Sequence, residues 1–169
     1  MSKIENRPHS VAEEKVEINR SAIEHRATWM ALIIDEARKA GVDIEPIARK
    51  AVSRCGCFHG ETIFKKNMRT PEDIRAFSEV FCTDIGTKTF EMEFLERDAA
   101  ALKVNFHYCP LVSAWKKQGF SDEDIALLCD IAMDGDRNIA GVFTTFDFEL
   151  GKTIAKGDGI CEICFSKRK

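Results

Sequence analysis

Polar and thiol side chains alternate with aromatic ones over residues 105–110, a run that ends at a proline. Because successive side chains of a β-strand point to opposite faces, Asn105, His107 and Cys109 are expected to share one face. A thiol beside a histidine and directly before a helix start is a candidate nucleophile, since both neighbours favour the thiolate. The pattern predicts Cys109 and His107 as catalytic residues and Asn105 as a substrate contact, with ordinary core packing of the cysteine as the alternative.

A second chemical interpretation joins this run to the C-terminal pair Cys161 and Cys164. Together with Cys109 and His107 they have the ligand set of a Cys3His zinc site. Residues three apart on an unbroken strand face opposite sides, so the site requires the last strand to bend. A divalent metal such as zinc is therefore a candidate cofactor. The alternative is ordinary core packing of at least one of these cysteines.

Two further cysteines and a histidine lie within five residues at Cys55, Cys57 and His59. Thiolate and imidazole are ligands that zinc prefers, but the spacing is shorter than in the usual structural sites. The intervening glycines are equally consistent with a helix break. The sequence leaves the role of these three residues open.

Acidic residues are concentrated in a short segment that ends at Arg137. Its carboxylates are suited to bind a hard cation, to orient a basic substrate group or to act as a general base. We expect Asp134 to be catalytic, with Asp130, Asp136 and the later Glu149 as substrate contacts. The alternative is a helix end in which Arg137 pairs with an acid.

The hydrophobic periodicity predicts which elements position these residues. A period of 3.6 indicates helices, and strict alternation indicates strands. The predicted helices cover 11–40, about 43–55, 70–82, 111–118 and 121 to about 136, and the predicted strands cover 89–95, 101–109, 145–150 and 160–165. The result is an α+β domain in which N-terminal helices pack against a four-stranded antiparallel sheet made of two hairpins separated by helices. We expect a flexible N-terminus over 1–10 and a single domain over 11–169.

The composition excludes several classes of protein. With 169 residues, 44% of them hydrophobic and a net charge of −3, the chain is typical of a soluble globular domain without a clustered basic face for nucleic acid. It has no apolar run long enough to span a membrane, and residues 1–17 do not resemble a secretion signal. We expect a cytoplasmic protein that binds a small molecule, with a homo-oligomer as a possible assembly, and that uses its seven cysteines as thiols, metal ligands or catalytic groups.

Four segments resemble the L-2-amino-thiazoline-4-carboxylic acid hydrolase family: 107–111 (His-Tyr-Cys-Pro-Leu), 128–136, 148–150 and 161–165. The resemblance implies a hydrolase that acts on a carbon–nitrogen bond of a cyclic amidine. Water attacks the carbon between the ring nitrogen and sulfur, and the ring opens toward carbamoyl-cysteine and L-cysteine. On this interpretation Cys109 or a metal supplies the nucleophile, His107 moves protons, and Asp134 or Asp136 holds the cationic amidine.

The last hairpin also resembles the small-molecule-binding domains named after vinyl reductase. That resemblance implies a sensor or carrier that binds a ligand or metal without turnover. Metal content and a thiazoline hydrolysis assay separate the two interpretations.

Overall fold

The computed structural model of the protein describes residues 2–168. Helices and strands alternate in blocks along the chain, and a π-helical turn at Gly60–Phe64 and a 3₁₀ turn at Ile154–Lys156 add to them. The α-helices are α1 Glu14–Lys39, α2 Glu45–His59, α3 Lys65–Asn67, α4 Ile74–Phe81, α5 Asp84–Phe90, α6 Pro110–Lys117 and α7 Asp122–Gly141. The strands are β1 Met92–Arg97, β2 Ala101–Phe106, β3 Phe146–Leu150 and β4 Cys161–Lys167.

The four strands form one antiparallel sheet in the order β1-β2-β4-β3. Alternation divides the central strands into two faces, with Val104 opposite Ile163 on the buried face. The neighbouring Lys103 and Cys164 point to the other, more exposed face. The helices cover the buried face, so the predicted α+β class and the four-stranded antiparallel sheet are confirmed.

The helix predicted over 11–40 is α1, and its buried stripe includes Val16, Ile23, Ala27 and Ile34. The chain leaves the helix through Gly41, whose φ of 77° suits glycine. The indole Nε1–H of Trp115 donates a hydrogen bond to the carbonyl of Ala27 at 3.0 Å and ties α1 to α6.

The first predicted strand begins too early, because the chain is helical as far as Phe90 in α5. The Thr83 side chain accepts a hydrogen bond from the Gly86 N–H and caps the start of that helix, and the residue after its end, Glu91, has a left-handed φ of 50°. The second strand also ends early, at Phe106. The N–H groups of His107 and Tyr108 donate to the Phe90 carbonyl instead of a strand partner, so the chain turns before Cys109.

Two helices are longer than predicted, because the glycines that suggest helix ends serve packing instead. Helix α2 passes through Gly56 and continues into the π-helical turn at Gly60, and α7 runs through Gly135 to Gly141. A Cβ atom on Gly56 would overlap the carbonyl oxygen of Gly135, and one on Gly60 would overlap Val142. These glycines let α2 and α7 approach closely, and the two helices form the largest contact between helices in the described chain.

Replacing Gly56 by alanine is therefore expected to lower the free energy of unfolding by about 3 kcal/mol, because the rigid backbone of α7 cannot move away. Gly141→Ala is the matched control, since its Cβ meets no atom within 4 Å. That change is expected to be neutral or to add about 0.5–1 kcal/mol through helix propensity. Urea unfolding of both variants measures the difference, and equal stabilities would contradict the close crossing.

The N-terminal segment, residues 2–12, contains no helix or strand but packs along the domain. Ile4 is 3% exposed and belongs to the same core cluster as Trp115. The backbone N–H groups of His9 and Ser10 donate hydrogen bonds to the Glu91 carboxylate. The division into a flexible 1–10 and a domain over 11–169 remains a prediction, and its end residues Met1 and Lys169 lie outside the described part. No helix within residues 2–168 has both the length and the low polarity needed to cross a bilayer.

Candidate functional site

Cys109 lies at the corner between β2 and α6, where it is the N-cap residue with extended φ and ψ of −133° and 111°. Its side chain points into the core, and the residue is 8% exposed. Burial raises the pKa of the Cys109 thiol, and the nearby backbone N–H groups of Val112 and Leu111 offset part of this increase. The Cys109 side chain accepts no capping hydrogen bond of normal geometry. The free protein therefore holds Cys109 as a neutral thiol at the start of a helix.

Two further buried thiols, Cys129 on α7 and Cys161 on β4, share the core cluster of Cys109. Burial raises the pKa of Cys161 to about 12 and that of Cys129 well above its ordinary value, and a charge on Cys109 raises both further. The Ile154 N–H donates a hydrogen bond to the Cys161 sulfur at 3.3 Å. All three thiols are therefore protonated in the free protein, and Cys109 differs from the other two by its place at a helix start.

Asp136 lies two turns after Cys129 on the same face of α7. Burial raises its pKa to about 6, against the lowering effect of the Arg26 and Arg137 guanidinium groups. Among the described residues none donates a hydrogen bond to the Asp136 carboxylate, although the residue is half-buried. Its charge also acts on the Cys109 thiol, so the two groups are electrostatic neighbours.

Arg26, on α1, is the charged residue that the sequence interpretation missed. The residue is exposed, and the charge of its guanidinium lowers the pKa of both Cys109 and Asp136, so it lies within electrostatic range of both groups. In the sequence Arg26 directly precedes the buried Ala27, at the border of the buried stripe of α1. That position indicates a residue at the edge of the core but gives no sign of the thiol and carboxyl on which its charge acts.

Asp130 and Asp134 occupy a different face of α7 and form an ion-pair network, here called the α2–α7 network, with Arg49 and Arg137. Arg49 donates to Asp130 at 2.7 Å and to Asp134 at 3.2 Å, and Arg137 contacts the same carboxylates at 2.7 and 2.6 Å. Although burial opposes it, hydrogen bonds from both arginines hold the pKa of Asp130 below its usual range. The two carboxylates thus connect α2 to α7. Arg49 and Arg137 supply the positive charge that offsets the repulsion between Asp130 and Asp134.

His107 lines a surface cleft of about 510 Å³ between the N-terminal segment, α5 and β1. Its Nε2 lies 2.9 Å from a carboxylate oxygen of Glu93, and its ring meets that of His9 edge-on at 5.7 Å. The expectation that Asn105, His107 and Cys109 share one strand face is therefore wrong. The strand ends at Phe106, and the turn that follows sends His107 to the cleft and Cys109 into the core.

Asn105 and Glu149 lie on the outer face of the sheet, in a groove of about 240 Å³ that also contains Cys164. Cys164 is half-buried there, whereas Cys161 points into the core. The strand does not bend, so the three-residue spacing places the two thiols on opposite faces.

The predicted zinc ligands Cys109, Cys161, Cys164 and His107 are consequently divided among the core, the outer groove and the cleft. Within residues 2–168 no three histidine, cysteine or acidic side chains are arranged to hold a metal ion. The prediction of a metal site on these four residues is corrected on that ground. Cys55 and Cys57 are exposed thiols on the intact helix α2.

A thiol at a helix start within electrostatic range of a carboxyl with a raised pKa is the kind of site in which enzymes perform acid–base and covalent chemistry. Comparison with protein families identifies the class further. The family model of L-2-amino-thiazoline-4-carboxylic acid hydrolase matches residues 20–165, so the chain belongs to this family. The family name indicates a hydrolase, and Arg26, Cys109 and Asp136 all lie within the match. No curated protein sequence matches the chain at a significant level.

Proposed function

We propose that the protein hydrolyses a cyclic amidine resembling 2-amino-thiazoline-4-carboxylate at a site formed by Cys109, Asp136 and Arg26. The observation that carries this proposal is the environment of Asp136: burial raises the pKa of its carboxyl to about 6, and its charge lies within electrostatic range of a thiol at a helix start. A half-buried acid in that state costs stability, which is typical of groups that serve a ligand.

The charges of this site complement the substrate that the family name describes. That molecule carries a basic amidine in its ring and a carboxylate at position 4. Asp136 is suited to receive the amidine nitrogens, and the exposed Arg26 guanidinium is suited to pair with the carboxylate. Asp130 and Asp134 are already paired with two arginines, so we assign the amidine to Asp136 rather than to Asp134.

The proposed reaction begins when the Cys109 sulfur attacks the ring carbon between nitrogen and sulfur. The thiol proton passes to Asp136, the ring C–N bond breaks, and Asp136 returns the proton to the departing nitrogen. Water then attacks the carbon bound to Cys109 with Asp136 again as base, the bond from that carbon to the Cys109 sulfur breaks, and Asp136 returns the proton to this sulfur. The products are the free thiol and a carbamoyl-cysteine, the precursor of L-cysteine. A carboxyl with a pKa of about 6 suits both directions of proton transfer near neutral pH.

The buried thiol also fits this sequence of steps. Burial keeps Cys109 protonated in the free protein, whereas a cationic amidine placed beside the sulfur favours the thiolate. Nucleophile activation therefore follows substrate binding. His107 lies in the separate cleft, and its predicted catalytic role is not part of this proposal.

The Arg26→Gln variant tests the binding mode. We expect KM to rise at least about tenfold with little change in kcat, because a charge-assisted contact is lost equally from the bound substrate and the transition state. Arg38→Gln is the matched control, since Arg38 is another exposed arginine of α1 and pairs with Asp124. Product formation, measured by mass spectrometry with and without a chelator, gives both constants, and unchanged KM in Arg26→Gln would contradict the assignment.

The same assay on the unchanged protein tests the activity itself. Turnover that survives chelation supports cysteine chemistry. Saturable substrate binding without product would contradict hydrolysis and favour the sensor or carrier interpretation. Loss of turnover on chelation would contradict the metal-independent mechanism.

A further inference from the structure

We propose that Asn6, in the N-terminal segment, is a positioning residue that holds the Cys109 peptide in its reactive orientation. The inference rests on the proposed function, because it assigns Asn6 to the nucleophile of that reaction. The Asn6 Nδ2–H donates to the Cys109 carbonyl at 2.9 Å, and the Asn6 Oδ1 accepts from the Cys109 N–H at 2.9 Å. One side-chain amide thus binds both polar groups of a single residue 103 positions away.

The corner at Cys109 needs such a partner because the sheet provides none. Strand β2 ends at Phe106, and Pro110, the first residue of α6, has no N–H. The Cys109 carbonyl accepts the first helical hydrogen bond from Ser113 at 3.1 Å, but its N–H lies before the helix. Asn6 supplies the acceptor for that N–H and a second donor for the carbonyl. It thus fixes the backbone on both sides of the Cys109 Cα, which carries the thiol side chain.

The N-terminal segment is anchored on both sides of Asn6. Before it, Ile4 inserts into the core cluster that contains Cys109, and the Lys3 N–H donates to Asp122 at 2.7 Å. The Lys116 ammonium donates to the Ile4 carbonyl. After it, the His9 N–H donates to Glu91 at 2.9 Å. Asn6 is therefore held in place by contacts that are independent of its own two hydrogen bonds.

The family match begins at residue 20, so Asn6 contacts Cys109 from outside the part of the chain that the family model covers. Cys109 lies within the part of the chain that the family model covers, whereas Asn6, which restrains it, lies outside that part. The orientation of the reactive thiol in this protein thus depends on a segment that family membership does not describe.

The test compares Asn6→Ala and Asn6→Asp with the control Arg7→Ala, a neighbouring exposed residue of the same segment. We expect kcat of Asn6→Ala to fall at least about tenfold with KM within twofold, because misplacement of a nucleophile lowers the rate of chemistry and leaves the contacts of Arg26 and Asp136 intact. Asn6→Asp keeps the acceptor and loses the donor, so an intermediate kcat is expected. Values of kcat equal to that of Arg7→Ala in both Asn6 variants would overturn the inference.

A second measurement does not depend on turnover. In a background with Cys55→Ser and Cys57→Ser, alkylation of Cys109 by iodoacetamide is followed by peptide mass spectrometry, with the half-buried Cys164 as internal reference. We expect the Cys109 rate to change at least about fivefold in Asn6→Ala and the Cys164 rate to stay constant. If the unchanged protein lacks hydrolysis but Asn6→Ala alters Cys109 alkylation, the positioning role stands and the proposed function fails. An unaltered Cys109 rate would overturn the positioning role.

Discussion

Asp136→Asn is expected to slow hydrolysis strongly and, at the same time, to stabilise the folded protein at neutral pH. Activity falls because asparagine cannot accept the proton of the nucleophile, and we expect a decrease in kcat of about 10²–10⁴-fold. Stability rises because the half-buried carboxylate, without a hydrogen-bond donor among the described residues, is replaced by a neutral group of the same shape. A gain in stability together with a loss of activity is characteristic of a functional residue.

The pH dependence of this gain follows from the raised pKa of Asp136, which moves from 3.8 to about 6 on folding. Between these values the folded state binds more protons than the unfolded state, so the Asp136 contribution to stability falls as the pH rises. Above pH 6 the ionised carboxylate costs at most about 3 kcal/mol, less the screening that solvent provides. The stabilisation of Asp136→Asn is therefore expected at pH 7.5 and should vanish at pH 3.5.

Urea unfolding at the two pH values measures this effect, and Asp134→Asn is the matched control on the same helix. Asp134 pairs with Arg49 and Arg137, so its replacement is expected to destabilise the protein at pH 7.5. A loss of stability of similar size in both variants would show that Asp136 is an ordinary paired acid.

Cys109→Ala is expected to reduce kcat by at least about 10³-fold, because no other group at the helix start can form the covalent intermediate. The fold should tolerate the change, since a cysteine in a core behaves as a small apolar residue. Cys164→Ser is the control, because Cys164 lies on the outer face of the sheet and should leave kcat unchanged. Full turnover by Cys109→Ala would remove the nucleophile from the proposal.

The covalent intermediate has a distinctive mass. Ring opening releases no fragment, so the protein with substrate bound covalently to Cys109 should be heavier by one whole substrate molecule. Acid quenching followed by intact-protein mass spectrometry detects this species, and Cys109→Ala should lack it. Turnover in the unchanged protein with no adduct at any quench time would favour direct attack by water, with Asp136 as the base.

Local patterns in the sequence determined much of the architecture. The 3.6-residue period of α1 and the two-residue alternation of β3 and β4 report the burial of nearby side chains, so the α+β class and the antiparallel sheet were predictable. The boundaries at Phe90 and Phe106 were not, because backbone hydrogen bonds between the two chain segments fix them. Likewise, Gly56 indicates a helix break until its close contact with Gly135 is known.

The sequence by itself drew attention to Cys109 and to the acidic end of α7, since their residue types are reactive wherever they lie. Which acid meets the thiol was decided by the tertiary structure. Rotation along α7 puts Asp136 on the face of Cys129, within electrostatic range of Cys109, while Asp130 and Asp134 face Arg49 on α2. Asn6 contacts Cys109 and the charge of Arg26 acts on it from distant parts of the chain, and no local periodicity predicts either effect. Residue chemistry was thus readable from the sequence, whereas the grouping of those residues required the packed fold.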